Sequence, residues 1–325
     1  MLRSIMRAIR VHKFGGPEVL QVETAQIPRP EANEVLVKVK AAGVNPVDTY
    51  VRQGSYGPKE FPYIPGADAA GVVEAVGNGV TNVQVGDRVF CNGASGSYCE
   101  FIVAKAVKVF RLPERLSFSQ GAALPVPYFT ALRALTYKAH AQPGETVLVH
   151  GASGGVGIAA CQIASGLKMH VVGTASTDEG AKLVKDNGAS AVLNHKDPNH
   201  AENLKKATNG KGFDVILEML ANVNLATDMD IVAERGRIVV IGSRGKIEID
   251  PRAIMQKESL CTAVALMKST DQEWQEMGAT VLQGIEAGWI NPIVDEEYPL
   301  DKAGEAHKAV IDHGSGSKGK IVIVI

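Results

Sequence analysis

Between residues 146 and 241 the chain alternates between short apolar runs and amphipathic segments, and this rhythm constrains the fold more than any other feature. Residues 146–150, 170–174, 191–193, 213–218 and 237–241 read as strands, with helices expected at 156–165, 179–186, 201–208 and 224–232. Strict alternation calls for a parallel sheet covered on both faces, the doubly wound α/β architecture.

The flanking segments have another rhythm. Residues 6–11, 35–39, 71–76, 87–90 and 98–103 are short strand-like runs between Gly, Pro and Asn, which suggests a compact β-rich unit. No long amphipathic helix is expected before residue 117. After a strand-like run at 260–266 come two helices, about 271–284 and 300–312, and a last strand at 320–325 that would return to the first unit. A chain of 325 residues exceeds a typical single core, so two domains are expected, with 128–266 as the doubly wound one and 1–127 plus 267–325 as the other.

Composition excludes several classes. With 34 basic and 35 acidic residues, no global field draws the chain to nucleic acid or membrane. Its apolar runs fall far short of the roughly 20 residues of a membrane helix. Only five residues precede the first strand-like segment, too few for a leader despite Arg3 and Arg7, so a cytosolic protein is expected. Cys91, Cys99, Cys161 and Cys261 form no C-x-x-C pair and read as buried free thiols.

The clearest chemical signal is the turn from His150 to Gly157, HGASGGVG, between a strand and a helix. Its glycines permit a tight turn and close approach to a pyrophosphate, and the helix start offers unpaired N–H groups to the phosphates. NAD-selective sites place an acid at the end of the second strand. Here that end reads Gly173 to Thr177, and Asp178 and Glu179 look like the first turn of the next helix. Ser176 and Thr177 suit a 2′-phosphate, with Lys182, His195 and Lys196 as candidate cations, and the missing acid favours NADP. The stretch 314–320 has the letters of a phosphate loop but continues with Ile321 and runs from helix to strand, so it reads as a turn. Ser317 and Lys318 in it are candidate cofactor contacts.

The stretch 41–50, AAGVNPVDTY, reads as a loop that brings Asn45, Asp48, Thr49 and Tyr50 to the edge of a cleft. Asp48 follows a proline closely and reads as a turn or cap residue. Tyr128 and Phe129, at a bend near Pro125–Pro127, either wall the cleft or pack the two domains together. No Ser-His-acid order is evident, and Ser153 lies in the phosphate turn.

A β-rich unit beside a nucleotide-binding unit resembles the medium-chain dehydrogenase/reductase superfamily. The resemblance covers essentially the whole chain, through GVNPVDTY, PGADAAGVVEAVG, GDRV and GASGGVG. It implies a GroES-like catalytic domain beside the Rossmann domain. Zinc enzymes of that superfamily carry a cysteine where this chain has Asn45, and a His-Glu pair where it has Ala67 and Asp68. The four-cysteine lobe is also missing, since residues 87–90 pass through 91–97 straight into 98–103. No zinc is therefore expected, and an acceptor that needs no Lewis acid is.

Within the superfamily the chain is similar to the zinc-free NADPH:quinone oxidoreductases of the zeta-crystallin branch, through LPVPYFTALRAL, VLVHGASGGVGIAACQIA, EMLANVNL and VIGSRGKIEI. This resemblance implies NADPH, quinone acceptors with ortho-quinones favoured, and a cytosolic homodimer or homotetramer. It places Tyr50 beside the nicotinamide and Ser153, Gly154, Gly155 and Val156 on the pyrophosphate. Ser176 and His195 fall at the 2′-phosphate end, and Ser176 stands where close relatives have glycine. Asn224, Ile241, Gly242, Ser243, Arg244, Val264, Ala265 and Leu266 fall on the cofactor or its nicotinamide side. Tyr50 is the expected polar group at the acceptor, with Asn45 holding it. Reduction of enals, enones or enoyl thioesters on the same fold is the alternative. A crystallin-like or RNA-binding role follows only by analogy with the family, and the chain shows no basic aromatic patch for it.

Overall fold

A computed structural model describes residues 4–93, 96–312 and 316–325. Arg3, residues 94–95 of the crossing at 91–97, and Gly314 and Ser315 of the second glycine stretch lie outside the described residues.

The alternating segment forms a six-stranded parallel sheet in the spatial order Ala191–Asn194, His170–Ala175, Thr146–Val149, Phe213–Glu218, Val232–Val240, Leu260–Ala263. The order reverses between the third and fourth of these, which opens a crevice beyond their carboxyl ends. Val147, Leu148, Val149, Val215, Ile216 and Leu217 are fully buried, as befits strands covered on both faces. The first helix, Gly155–Gly166, can pack against its own turn because Gly157 lacks a side chain: a Cβ there would lie 2.4 Å from the Gly151 carbonyl oxygen.

The β-rich part forms a seven-stranded sheet. Along it run Val294–Pro299, Lys320–Val324, Glu34–Val44, Asp68–Val76, Arg88–Asn92 and Val109–Arg111, with Phe101–Lys105 also pairing on Glu34–Val44. Ile5–Arg10 and Gln21–Gln26 form a separate antiparallel pair. The last strand does return to the first unit, antiparallel to Glu34–Val44 with Ile321 opposite Val44.

Local differences from the sequence expectations have physical causes. The stretch 41–50 is no loop: Ala41–Val44 continues the strand, and Pro46–Arg52 is a short helix. Proline is tolerated at its first position, and Asp48 at its third reaches back to the Asn45 amide at 2.8 Å, the cap role read for it. The bend at Pro125–Pro127 is the first turn of the helix Pro125–Arg133, where prolines sacrifice no helical hydrogen bond. The strand expected at 98–103 starts at Phe101, because the Tyr98 amide turns back to Pro65. The expected strand 260–266 ends at Ala263. In place of one helix at 300–312 there is a 3-10 turn, Leu300–Lys302, and then the helix Ala303–Ala309. Helix Asp271–Ala287 runs one turn longer than expected and stops at Gly288, whose φ is +83°.

The two units share a core. Phe129 is buried between Phe110 and Trp274, with ring centroids 5.3 and 4.8 Å away. Tyr128 is buried and donates to Gln162 at 2.7 Å. Phe129 therefore packs the units together, while the Tyr128 hydroxyl bonds within the doubly wound one. All four cysteines are free; Cys91, Cys99 and Cys161 are buried and Cys261 partly so.

Candidate active site

The sequence candidates converge on one end of the six-stranded sheet. Ser153–Val156, Ser176, His195, Asn224, Ile241–Arg244 and Val264–Leu266 each follow the carboxyl end of a different strand. Gly154 precedes the helix Gly155–Gly166, whose first amides have no intrahelical acceptor and are free to take phosphate oxygens. The donor set thus fits a dinucleotide pyrophosphate.

At the second strand end Thr177 accepts from the Gly180 amide at 3.1 Å and caps the helix Asp178–Asp186, so Asp178 and Glu179 do occupy its first turn. The Ser176 hydroxyl is not used in this cap. Of the candidate cations, Lys182 pairs with Asp186 along its own helix at 2.6 Å. Lys318 instead reaches this strand end from the last loop and pairs with Glu179 at 3.0 Å. His195 is exposed beside them, its amide on the Ala175 carbonyl.

Asn224 donates to Glu218 at 3.2 Å, and the amides of Ile241 and Gly242 both take the Glu218 carbonyl. Arg244 crosses the cleft: its Nε donates to the Tyr50 hydroxyl at 3.0 Å. The two residues line a cavity of about 370 Å³ together with Thr49, Gln53, Tyr56 and Ser243. A larger groove of about 780 Å³, bounded by Asn33, Lys105, Phe110 and Gln275, holds none of the candidate residues.

Behind Tyr50 lies a buried polar cluster. Asn45 is 3% exposed and both ends of its amide are taken: Nδ2 donates to Asp68 at 2.8 Å, and Oδ1 accepts a short bond from the Lys320 ammonium. Lys320 also donates to the Val44 carbonyl at 2.7 Å and stands 3.6 Å from Asp68. Asp68 in turn accepts from the Val126 amide at the start of the helix Pro125–Arg133. Burial pushes the Asp68 carboxyl up and the Lys320 amine down, and each partner partly offsets the other's shift. Burial also pushes Asp48 up to about 6, while Tyr98 donates to it at 3.1 Å. Tyr98 also contacts His307, which accepts from Arg52; burial and that guanidinium pull His307 down to about 3.

This cluster does not suit zinc. Around Lys320 it offers the Asp68 carboxylate and the Asn45 amide oxygen, and the ammonium between them would repel a cation, while the His307 imidazole is taken up by Arg52 and Tyr98. Lys320 escaped the sequence reading, which saw only the start of a strand. The signal was there: a lysine opening the run Ile321–Ile325 heads a buried strand, and such a charge needs a partner.

A second buried cluster underlies Asn224. His150 Nε2 lies 2.8 Å from Asp228 and 3.5 Å from Glu218, with donor atoms all within 4.8 Å of one another. Burial pushes both carboxyls up to about 7, and no lysine or arginine pairs with either among the described residues. A shared proton therefore balances this site.

Comparison with known proteins gives a consistent picture. The alcohol dehydrogenase GroES-like domain family matches residues 31–114, and the zinc-binding dehydrogenase family matches residues 155–283. Over 326 residues the chain is 50% identical to a quinone oxidoreductase of Homo sapiens, covering 99% of each. A structure of Escherichia coli quinone oxidoreductase complexed with NADPH superposes with a TM-score of 0.90 at 33% identity, over 98% of this chain and 100% of that one. An NAD-dependent alcohol dehydrogenase structure also reaches 0.90, at 29% identity over the same shares, so fold likeness alone does not select the cofactor.

Proposed function

Because the chain belongs to the quinone oxidoreductase family of the medium-chain dehydrogenase/reductase superfamily, we propose that it uses NADPH to reduce quinones, ortho-quinones above all, in the cleft between its two sheets. The observation that carries this reading is the meeting of Tyr50 and Arg244 at a cavity, backed by a cluster that suits an ammonium and not zinc.

When bound, NADPH supplies a hydride. The chain's part is to bind, orient and exclude water. The amides at Ser153–Val156 hold the pyrophosphate, with Ser176 and His195 at the 2′-phosphate end, where Lys318 brings a positive charge. Asn224, Ile241–Arg244 and Val264–Leu266 form the nicotinamide side. A quinone needs little activation, so holding ring against ring supplies most of the rate. The Tyr50 hydroxyl is placed to hydrogen-bond an acceptor oxygen once Arg244 turns to the cofactor. Asn45, fully engaged in the buried cluster, positions the segment that carries Tyr50.

The domain division is part of this proposal, with 128–266 for the cofactor and 1–127 plus 267–325 for the acceptor. The helix Pro125–Arg133 spans the first seam. A cytosolic homodimer or homotetramer is also proposed, joined through the edge strand Leu260–Ala263, whose Leu260 is exposed. No described helix is long and apolar enough to cross a membrane.

NADPH oxidation with 9,10-phenanthrenequinone against a panel of enals and enones tests the function. Quinone turnover is expected to dominate, and its absence beside enone turnover would give the reductase alternative the site. Calorimetry is expected to show tighter binding of NADPH than NADH. Light scattering that finds a monomer would remove the oligomer, and salt-sensitive binding to RNA would revive the non-enzymatic analogy.

A further inference from the structure

We propose that Lys320 is a positioning residue for the acceptor pocket, a single side chain that fastens the glycine turn to the head of the helix carrying Tyr50; this rests on the quinone reductase reading above. The backbone meets the cofactor side here: the Gly319 amide donates to the Ser153 carbonyl at 2.8 Å, while Lys320 itself opens the last strand of the seven-stranded sheet, its amide on Ile293 at 2.9 Å. The side chain then leaves that surface. Its stem runs beside Gly155, where a Cβ would lie 3.5 Å from Lys320 Cδ, and past Gly43, where one would lie 2.9 Å from Cε. The ammonium, in a residue only 4% exposed, ends on Val44 and Asn45, the junction of the strand Glu34–Val44 with the helix Pro46–Arg52.

Chemistry explains why this must be a lysine. A long apolar residue would fill the same channel without the cost of burying a charge. What the ammonium adds is direction, because its donors hold the Val44 carbonyl and the Asn45 amide in one orientation. Asn45 then has only Nδ2 to offer Asp68, and Asp68 has its other oxygen on Val126. The start of the Tyr50 helix and, through Asp68, the start of the helix Pro125–Arg133 are thereby referred to one charged atom, while the stem and the neighbouring Gly319 amide meet the glycine turn. Tyr50 lies one turn and a half along from Asn45, so a tilt at the junction moves its hydroxyl in the pocket.

The test compares Lys320→Met with the double variant Lys320→Met/Asp68→Asn, which also removes the carboxylate that Lys320 faces. For Lys320→Met, kcat with 9,10-phenanthrenequinone is expected to fall roughly 100-fold while the NADPH Kd stays within about twofold, since misplacement of about 1 Å costs that much. Amide exchange over residues 45–53, measured without any substrate, is expected to accelerate about tenfold. The double variant should regain thermal stability without regaining kcat. The proposal is overturned if the double variant recovers both, if kcat in Lys320→Met stays within about threefold of the parent, or if exchange over 45–53 is unchanged. A weakening of NADPH binding that accounts for the whole loss also overturns it. Should Lys320→Met fail to fold, the double variant decides by the same kinetic and exchange criteria. If the parent itself turns over no quinone, the functional reading fails, and the exchange measurement alone decides the role of Lys320.

Discussion

The two buried clusters solve one electrostatic problem in different ways. In the seven-stranded sheet, Asp68 faces Lys320, and the carboxylate is offset by a cation held on three oxygens. Under the six-stranded sheet, Glu218 and Asp228 face each other and His150, and the compensation is a proton. Burial favours loss of the proton from the Lys320 ammonium and Asp68 opposes that loss, whereas the proton of the second cluster is lost when the solution becomes basic. The first arrangement fixes geometry beside the pocket. The second makes the floor beneath Asn224 a titrating element.

The largest effect is expected where the ion pair is broken. Asp68→Ala strands the ammonium of Lys320, and urea unfolding should show a loss of about 3–5 kcal/mol. A loss under about 1 kcal/mol would mean that the ammonium finds other compensation, and the contrast between the clusters would collapse.

Next comes the proton-balanced site. The Asp228 carboxyl sits at about 7 in the fold, above its ordinary value of 3.8, so the folded chain holds the extra proton between those values. Stability from this group is fully present below about pH 3.8 and is lost as pH rises through about 7. Asp228→Asn should therefore gain on the parent by about 1–3 kcal/mol between pH 5 and pH 8.5, measured as the difference in unfolding free energy. A flat difference across that range would remove the proton from the account.

The smallest effect sharpens the comparison with a third case. His307, pulled down from 6.5 to about 3, contributes stability above pH 6.5 that is lost as pH falls towards 3. Asp48, raised to about 6, acts in the opposite direction between 3.8 and 6 and offsets part of it. His307→Gln should lessen the fall in stability from pH 6.5 to pH 5 by about 1 kcal/mol. An unchanged acid slope would show that the imidazole does not carry it.

How much of this was legible depended on sequence distance. The strands and helices between 146 and 241 announce themselves locally, and each was placed to within three residues apart from the strand Val232–Val240, which starts five residues earlier than read. The helix Pro46–Arg52 was hidden because seven residues give too little periodicity, and its proline resembles a turn. The glycine turn and the residues after each strand share one local context, so their gathering at one end of the sheet followed from topology. The contacts of Lys320 did not: Asn45 and Val44 lie 275 and 276 residues away, and nothing in either neighbourhood names the other. Arg244 on Tyr50, 194 residues apart, was hidden for the same reason. The buried pair Glu218 and Asp228 looked like an ordinary strand end and an ordinary helical acid.

The sheet that supports the pocket is assembled from both ends of the order of synthesis. Strand Glu34–Val44 emerges from the ribosome early, yet the strand that covers it over Ala41–Val44 follows some 276 residues later. At about 5–20 residues per second, this apolar segment waits roughly 15–55 s for its neighbour. Throughout that interval the intervening doubly wound unit can complete its own sheet, while the earlier one offers an open flank to any passing strand.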